Sequence, residues 1–253
     1  AGGVMQYVFS ALYGVAARKN IKLDGANFGI IGVGHVGSKV EHMARYLGFN
    51  VLRCDPPRAA AEGEEGFCSL EYLLANSQIV TMHTPLDDTT RGMADEEFFM
   101  LMQPGAIFIN ASRGEVMNED ALKAAYPKLG AAIIDTWNNE PDVNADLIEM
   151  VDIATPHIAG YSYQGKQNGT ASAVQSVARR FGIEPLYDFY PEEDLPDHNP
   201  ILLDLKDKTQ GERAAVFQYN YPIFTDDFRF RMEPHKFEKL RSEYQYRREI
   251  YVE

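Results

Sequence analysis

The 253-residue chain is expected to form a doubly wound α/β fold, a parallel sheet with a smaller C-terminal α+β module behind it. Three observations carry that expectation. Short apolar runs recur along residues 28–154, each four or five residues long. Stretches of helical or loop character separate them. The glycine loop Gly32-Val33-Gly34-His35-Val36-Gly37 stands directly between the first run and a helix. Continuous apolar runs suit strands covered on both faces, and intervening helices keep successive strands parallel.

The elements follow in order. Val4, Val8, Leu12 and Val15 recur at helical spacing, so residues 1–20 read as a core-facing helix. Phe28-Gly29-Ile30-Ile31 is a short buried strand, followed by the glycine loop and a helix over about residues 38–47, with Gly48 suited to its C-terminal end. Val51-Leu52-Arg53-Cys54 is the next strand, which Pro56-Pro57 stops. Further strands are expected over residues 79–82, 106–109, 131–134 and 151–154, with helical stretches at 69–75 and 118–125 among the connections. Residues 171–181 read as a helix and 185–200 as a Pro-, Asp- and Glu-rich connector. A last module holds a strand candidate at 201–205, an aromatic run from Phe217 to Phe230 and a closing helix with Phe237, Leu240 and Tyr244 on one face. That face and the aromatic run predict a dimer surface, because such area is costly to leave in water.

Composition narrows the function. Hydrophobic content of 45% with 24% charged residues is that of a soluble globular protein. The net charge of −13 argues against nucleic-acid binding, which depends on Lys and Arg neutralising phosphates. Cys54 and Cys68 make no disulfide framework, so a cytoplasmic location is expected. The apolar stretch from Val4 to Ala17 is too short to span a bilayer and lacks a basic flank, so no membrane association is expected. No group of His, Cys or carboxylates has metal-ligand spacing. His42, His198 and His235 are read as ordinary structural or surface histidines.

The chemistry-bearing residues cluster at strand ends, where ligands of such sheets bind. In the glycine loop, the first Gly permits the turn, the second lets a pyrophosphate approach the backbone, and the third lets helix and strand pack. His35 and Val36 would offer backbone N–H groups at the helix N-terminus. Asp55 ends the second strand, where a carboxylate can bond ribose hydroxyls; Arg58 nearby leaves room for a 2′-phosphate. At His83-Thr84-Pro85, Thr84 is the better cofactor contact and His83 is evenly balanced between contact and strand exit. Arg113, in Asn110-Ala111-Ser112-Arg113-Gly114, can grip a carboxylate with two prongs. Asp135 could reach a nicotinamide amide or cap its own loop. Glu140 beside His157 would fix the imidazole tautomer and leave the other ring nitrogen free for proton transfer.

These segments resemble the D-2-hydroxyacid dehydrogenase family. The resemblance runs through Gly29-Ile30-Ile31-Gly32-Val33-Gly34-His35-Val36-Gly37, His83-Thr84-Pro85-Leu86, the stretch from Pro104 to Gly114, Asp135-x-Trp137-x-x-Glu140-Pro141 and Thr155-Pro156-His157-Ile158-Ala159-Gly160. Cys54-Asp55-Pro56-Pro57-Arg58, the extension from Gly160 to Lys166 and the tail from Phe237 to Glu249 resemble a branch of that family acting on a phosphorylated 2-hydroxy acid. The resemblance implies NAD-dependent oxidation of 4-phosphoerythronate to the 2-oxo acid, within pyridoxal phosphate biosynthesis. It implies that Arg113 binds the substrate carboxylate, that Glu140 orients His157, and that His157 takes the hydroxyl proton. Gly32, Gly34, His35, Val36, Gly37, Asp55, Thr84, Ala111, Ser112, Arg113, Asp135 and Gly160 would contact NAD, and Tyr161 the substrate. The implied division is 1–20 an interdomain helix, 21–160 the NAD-binding Rossmann domain, 161–184 a return helix and 185–253 the homodimerisation module. Family members carry a substrate-binding domain ahead of the first helix, so the chain is expected to be a fragment that lacks it. A dehydrogenase for phosphoglycerate or glycerate, or a non-catalytic NAD sensor, are the alternatives.

Overall fold

The structure is a computed structural model and describes residues 1–191 and 199–252. The connector over residues 192–198, His198 included, lies outside the described residues. Strands β1 (Asn27–Ile31), β2 (Asn50–Cys54), β3 (Ile79–Met82), β4 (Ile107–Asn110), β5 (Ala131–Ile134) and β6 (Ile153–Ala154) form one six-stranded parallel sheet in the order β2-β1-β3-β4-β5-β6. The order reverses at β1, so a crevice opens beyond the carboxyl ends of β1 and β3.

Both faces of the sheet are covered, which is why the strands read as apolar runs. Alternate residues feed two cores: Phe28, Ile30, Ile107, Ile109 and Ile133 face one, and Ile31, Val80, Met82, Phe108 and Ile134 the other. Helix α1 (Gly2–Lys19) lies in the first core and is buried on nearly every side from Gly2 to Ala16. Phe9 of α1 stacks on Phe28 at 5.6 Å and on Phe217 at 6.2 Å. Helix α2 (His35–Tyr46) opens at Gly34, three residues earlier than expected, and α4 (Leu70–Asn76) and α6 (Glu119–Ala125) begin behind the side-chain caps Ser69 and Asn118.

Three helices within residues 56–150 escaped the sequence reading. Pro56-Pro57 ends β2 but also opens α3 (Pro56–Glu62), because proline suits a helix's first turn. The short α5 (Glu96–Leu101) and α7 (Ala145–Met150) are set by Asp95 and Asn144 caps rather than by a long apolar period. Helix α8 (Tyr163–Phe181) begins eight residues before the expected start, behind a Ser162 cap that accepts from Gly165 N.

The C-terminal segment differs most from expectation. The strand candidate shortens to β7 (Ile201–Leu203), which pairs in parallel with a final strand β8 (Ile250–Val252). The aromatic run is two helices, α9 (Gln210–Asn220) and α10 (Ile223–Met232), and α11 (Phe237–Ser242) ends before Tyr244. Phe217 and Phe237, read as partner-seeking, are buried within this chain instead. Phe237 packs on Phe230 at 5.8 Å, and Phe230 on Trp137 at 5.8 Å, so this segment completes the second core. Asp227 of α10 accepts the Ala154 N–H at 2.8 Å and thereby closes the edge strand β6.

Candidate active site

The glycine loop is built by exclusion. Gly32 has φ of 82°, a conformation favourable only to glycine, and a Cβ there would lie 2.9 Å from the His83 backbone carbonyl. A Cβ on Gly37 would overlap the Gly32 carbonyl oxygen, so strand and helix meet only without side chains. Gly34 is the opposite case: a Cβ would meet no atom within 4 Å. There α2 starts with no side-chain cap and no acidic residue in its first turn, and His35 is exposed beside it. Free N–H groups, open space and the positive end of a helix dipole fit a pyrophosphate.

Asp55 joins the loop to β2. Its Oδ2 accepts from Val33 N at 2.7 Å, and its Oδ1 caps α3 through Arg58 N at 3.0 Å. Arg58 is engaged twice over: Glu62 occupies its fork through two 2.7 Å bonds, and its Nη1 donates to Val33 O. A 2′-phosphate would compete with Glu62 and meet Asp55, so the geometry suits an unphosphorylated ribose. Thr84 is half-buried at the end of β3, next to the loop, and its Oγ1 has no partner among the described residues. His83 stays neutral: its Nε2 lies 3.0 Å from Thr81 Oγ1, desolvation pushes its pKa down to about 3, and its Nδ1 has no partner among the described residues.

Beyond β4, Asn110 shapes the next loop, a role absent from the sequence reading. Its Oδ1 accepts from Ser112 N and Oγ, and its Nδ2 donates to Arg113 O at 3.0 Å. Ala111 and Ser112 are therefore buried, while the Arg113 side chain is exposed, with Nη1 on Ser112 O. A Cβ on Gly114 would overlap the Trp137 carbonyl, so this loop lies directly on the one that carries Glu140.

His157 and Glu140 come together as expected: Nδ1 lies 2.8 Å from Oε2. The other carboxylate oxygen accepts from Trp137 N at 3.0 Å, which fixes its direction. Nε2 makes no hydrogen bond among the described residues, and the side chain keeps 23% of its surface exposed. His157 has φ of 56°, unfavourable for a side chain with a Cβ, so its loop has to be held firmly. Asp135 does this. It is 1% exposed and accepts from Thr155 Oγ1, Ile158 N and Ala159 N at 2.7, 2.9 and 3.0 Å. Burial pushes its carboxyl above the usual carboxylate range. Both oxygens face the His157 loop, which is the loop-capping role weighed for Asp135. Tyr7 of α1, 2.8 Å from Thr155 Oγ1, and Trp137, whose Nε1 donates to Thr155 O, complete the support.

Gly160 is exposed just past this loop, and Tyr161 turns toward the C-terminal segment. Its hydroxyl accepts from Arg241 Nε at 3.1 Å, and its ring meets Tyr244 and Tyr246 edge-on. Among the described residues no group of side chains could hold a metal ion, and no helix is long and apolar enough to cross a membrane.

The chain has recognisable relatives. Residues 13–159 match the family model described as D-isomer specific 2-hydroxyacid dehydrogenase, NAD binding domain. The chain is 40% identical to an erythronate-4-phosphate dehydrogenase of Bacteroides thetaiotaomicron, covering 98% of this chain and 71% of that protein. It is 35% identical to the same-named enzyme of Ectopseudomonas mendocina, covering 99% and 69%. The crystal structure of an Aquifex aeolicus D-lactate dehydrogenase complexed with NAD and lactic acid is similar, with a TM-score of 0.62 at 27% identity over 75% of this chain and 71% of that one. The chain belongs to the D-isomer specific 2-hydroxyacid dehydrogenases and is by descent an NAD-dependent oxidoreductase.

Proposed function

We propose that this site oxidises C2 of a phosphorylated 2-hydroxy acid, 4-phosphoerythronate, with Arg113, Glu140 and His157 as its working residues. One observation carries the reading: His157 Nδ1 is committed to Glu140 at 2.8 Å, which leaves Nε2 free among the described residues, and the Arg113 loop packs on the loop that carries Glu140. The names of the relatives, both erythronate-4-phosphate dehydrogenases, support the choice of substrate.

Arg113, exposed and without an acidic partner among the described residues, binds the substrate carboxylate through its fork. His157 Nε2 accepts the C2 hydroxyl proton as the C2–H electron pair departs, and the new imidazolium is stabilised by Glu140. NAD, when bound, supplies the hydride acceptor. Gly32, Gly34, His35, Val36 and Gly37 would hold its pyrophosphate, Asp55 its adenosine ribose, and Thr84, Ala111, Ser112 and Gly160 would line the path toward C2. Tyr161 would meet the substrate. We assign the segment over residues 185–253 a second role in homodimerisation, supported by the exposure of Tyr219, Phe228 and Met232 at 88%, 63% and 64%.

A panel of 4-phosphoerythronate, 3-phosphoglycerate, glycerate and D-lactate, assayed for NADH formation, tests the reading. The highest kcat/KM should fall on 4-phosphoerythronate. A preference for glycerate or lactate would overturn the substrate, and NADH binding with no turnover on any of them would favour a binding protein.

A further inference from the structure

We infer that Arg247, from the far C-terminal segment, is a positioning residue for His157. The inference rests on the reading of His157 as proton acceptor.

The observation is a clasp on one stretch of backbone. Asp135 accepts the N–H groups of Ile158 and Ala159. Arg247 donates through Nη2 to the carbonyls of the same two residues, Ala159 O at 2.8 Å and Ile158 O at 3.3 Å. The peptide group between Ile158 and Ala159 is thus held by a carboxylate on its N–H side and a guanidinium on its carbonyl side. Both groups are buried, Asp135 at 1% and Arg247 at 8% exposure. Opposite charges on the two sides of one peptide polarise its dipole favourably and strengthen both bonds in a low-dielectric setting.

The clasp has its own frame. Arg247 Nη1 donates to Tyr244 OH at 2.7 Å, and that hydroxyl donates to Asp226 Oδ2 at 2.8 Å. The guanidinium carbon sits 3.8 Å from the centre of the Tyr221 ring. Main-chain bonds from Arg247 N to Tyr161 O and from Tyr163 N to Arg247 O fasten the residues just beyond Gly160. Asp135 comes from the sheet and Arg247 from 90 positions after His157. The left-handed His157 backbone is therefore held from two separate parts of the fold. The Ile158 carbonyl also accepts the Tyr161 N–H at 2.9 Å, so what Arg247 adds is mainly its 2.8 Å bond to the Ala159 carbonyl, which fixes the peptide that follows those held by Asp135.

The test uses Arg247→Met and Arg247→Lys in the full-length enzyme, with two readouts. One is the downfield proton NMR signal of the His157 Nδ1–H bonded to Glu140, identified by its disappearance in His157→Gln. The other is the split between kcat and the KM for NAD. Positioning predicts that the signal is lost or moves upfield in Arg247→Met and is partly recovered in Arg247→Lys. It also predicts that kcat falls about 10–100-fold while the KM for NAD holds. If Arg247→Met does not fold, Arg247→Lys is read against the parent on the same criteria. A folded variant with lower Tm but an unchanged signal and kcat would overturn the inference and leave Arg247 a stabilising residue only. The NMR readout needs no substrate, so a wrong substrate assignment would leave it intact.

Discussion

The Glu140 carboxylate divides its oxygens between two loops: Oε2 lies 2.8 Å from His157 Nδ1, and Oε1 accepts the Trp137 N–H at 3.0 Å. It thus orients the imidazole and is itself oriented by the backbone. A neutral amide at position 140 could not serve both contacts equally, nor stabilise an imidazolium.

Glu140→Gln should therefore lower kcat by about 100-fold with little change in the KM for NAD. Steady-state kinetics checks this, and a kcat within about threefold of the parent would show that Glu140 does not act through His157.

Arg113→Lys keeps the positive charge and removes the fork. Substrate KM should rise about 10–100-fold, the loss of one charge-assisted bond. NADH binding, followed by fluorescence, should change far less than substrate KM, because Asn110 holds the Ser112 N–H and hydroxyl and the Arg113 side chain touches only the Ser112 carbonyl.

The glycine loop separates folding from binding. Gly34 has φ of −72° and open space, so Gly34→Ala should fold normally and weaken NADH binding by filling the pyrophosphate cradle. Gly37→Ala would place a methyl on the Gly32 carbonyl and should cost about 1–3 kcal/mol of stability or more. Thermal unfolding and NADH titration of both variants distinguish the two effects.

His83 gives a pH signature. Its pKa is about 3 in the folded chain against an ordinary 6.5. Between those values the unfolded chain binds the extra proton, so this residue removes stability as pH falls below about 6.5. His83→Gln keeps a neutral partner for Thr81 and cannot be protonated. Its Tm should decline less steeply than the parent's between pH 7 and pH 4.5, because most of that range lies between the folded and unfolded pKa values. Parallel Tm curves would contradict the assignment.

The strands were legible because doubly buried parallel strands carry uninterrupted apolar runs, as at Ile79–Met82 and Ala131–Ile134. The Glu140–His157 pair was legible because both residues lie at ends of neighbouring strands, β5 and β6. Other features depend on contacts no local pattern reports. Asp227 meets Ala154 across 73 positions, and Glu249 accepts from Gly3 N across 246. The capping role of Asp135 could be read only from the direction of its oxygens. The start of α8 was hidden by Gly165 and Gly169, poor helix formers tolerated behind a Ser162 cap.

The central claim is that His157 removes the C2 hydroxyl proton. The direct test is NADH formation from 4-phosphoerythronate by the full-length enzyme and by His157→Ala, with NADH binding measured on both. The account predicts a loss of about 100-fold or more in kcat with NADH binding retained. Turnover equal to the parent's would contradict it.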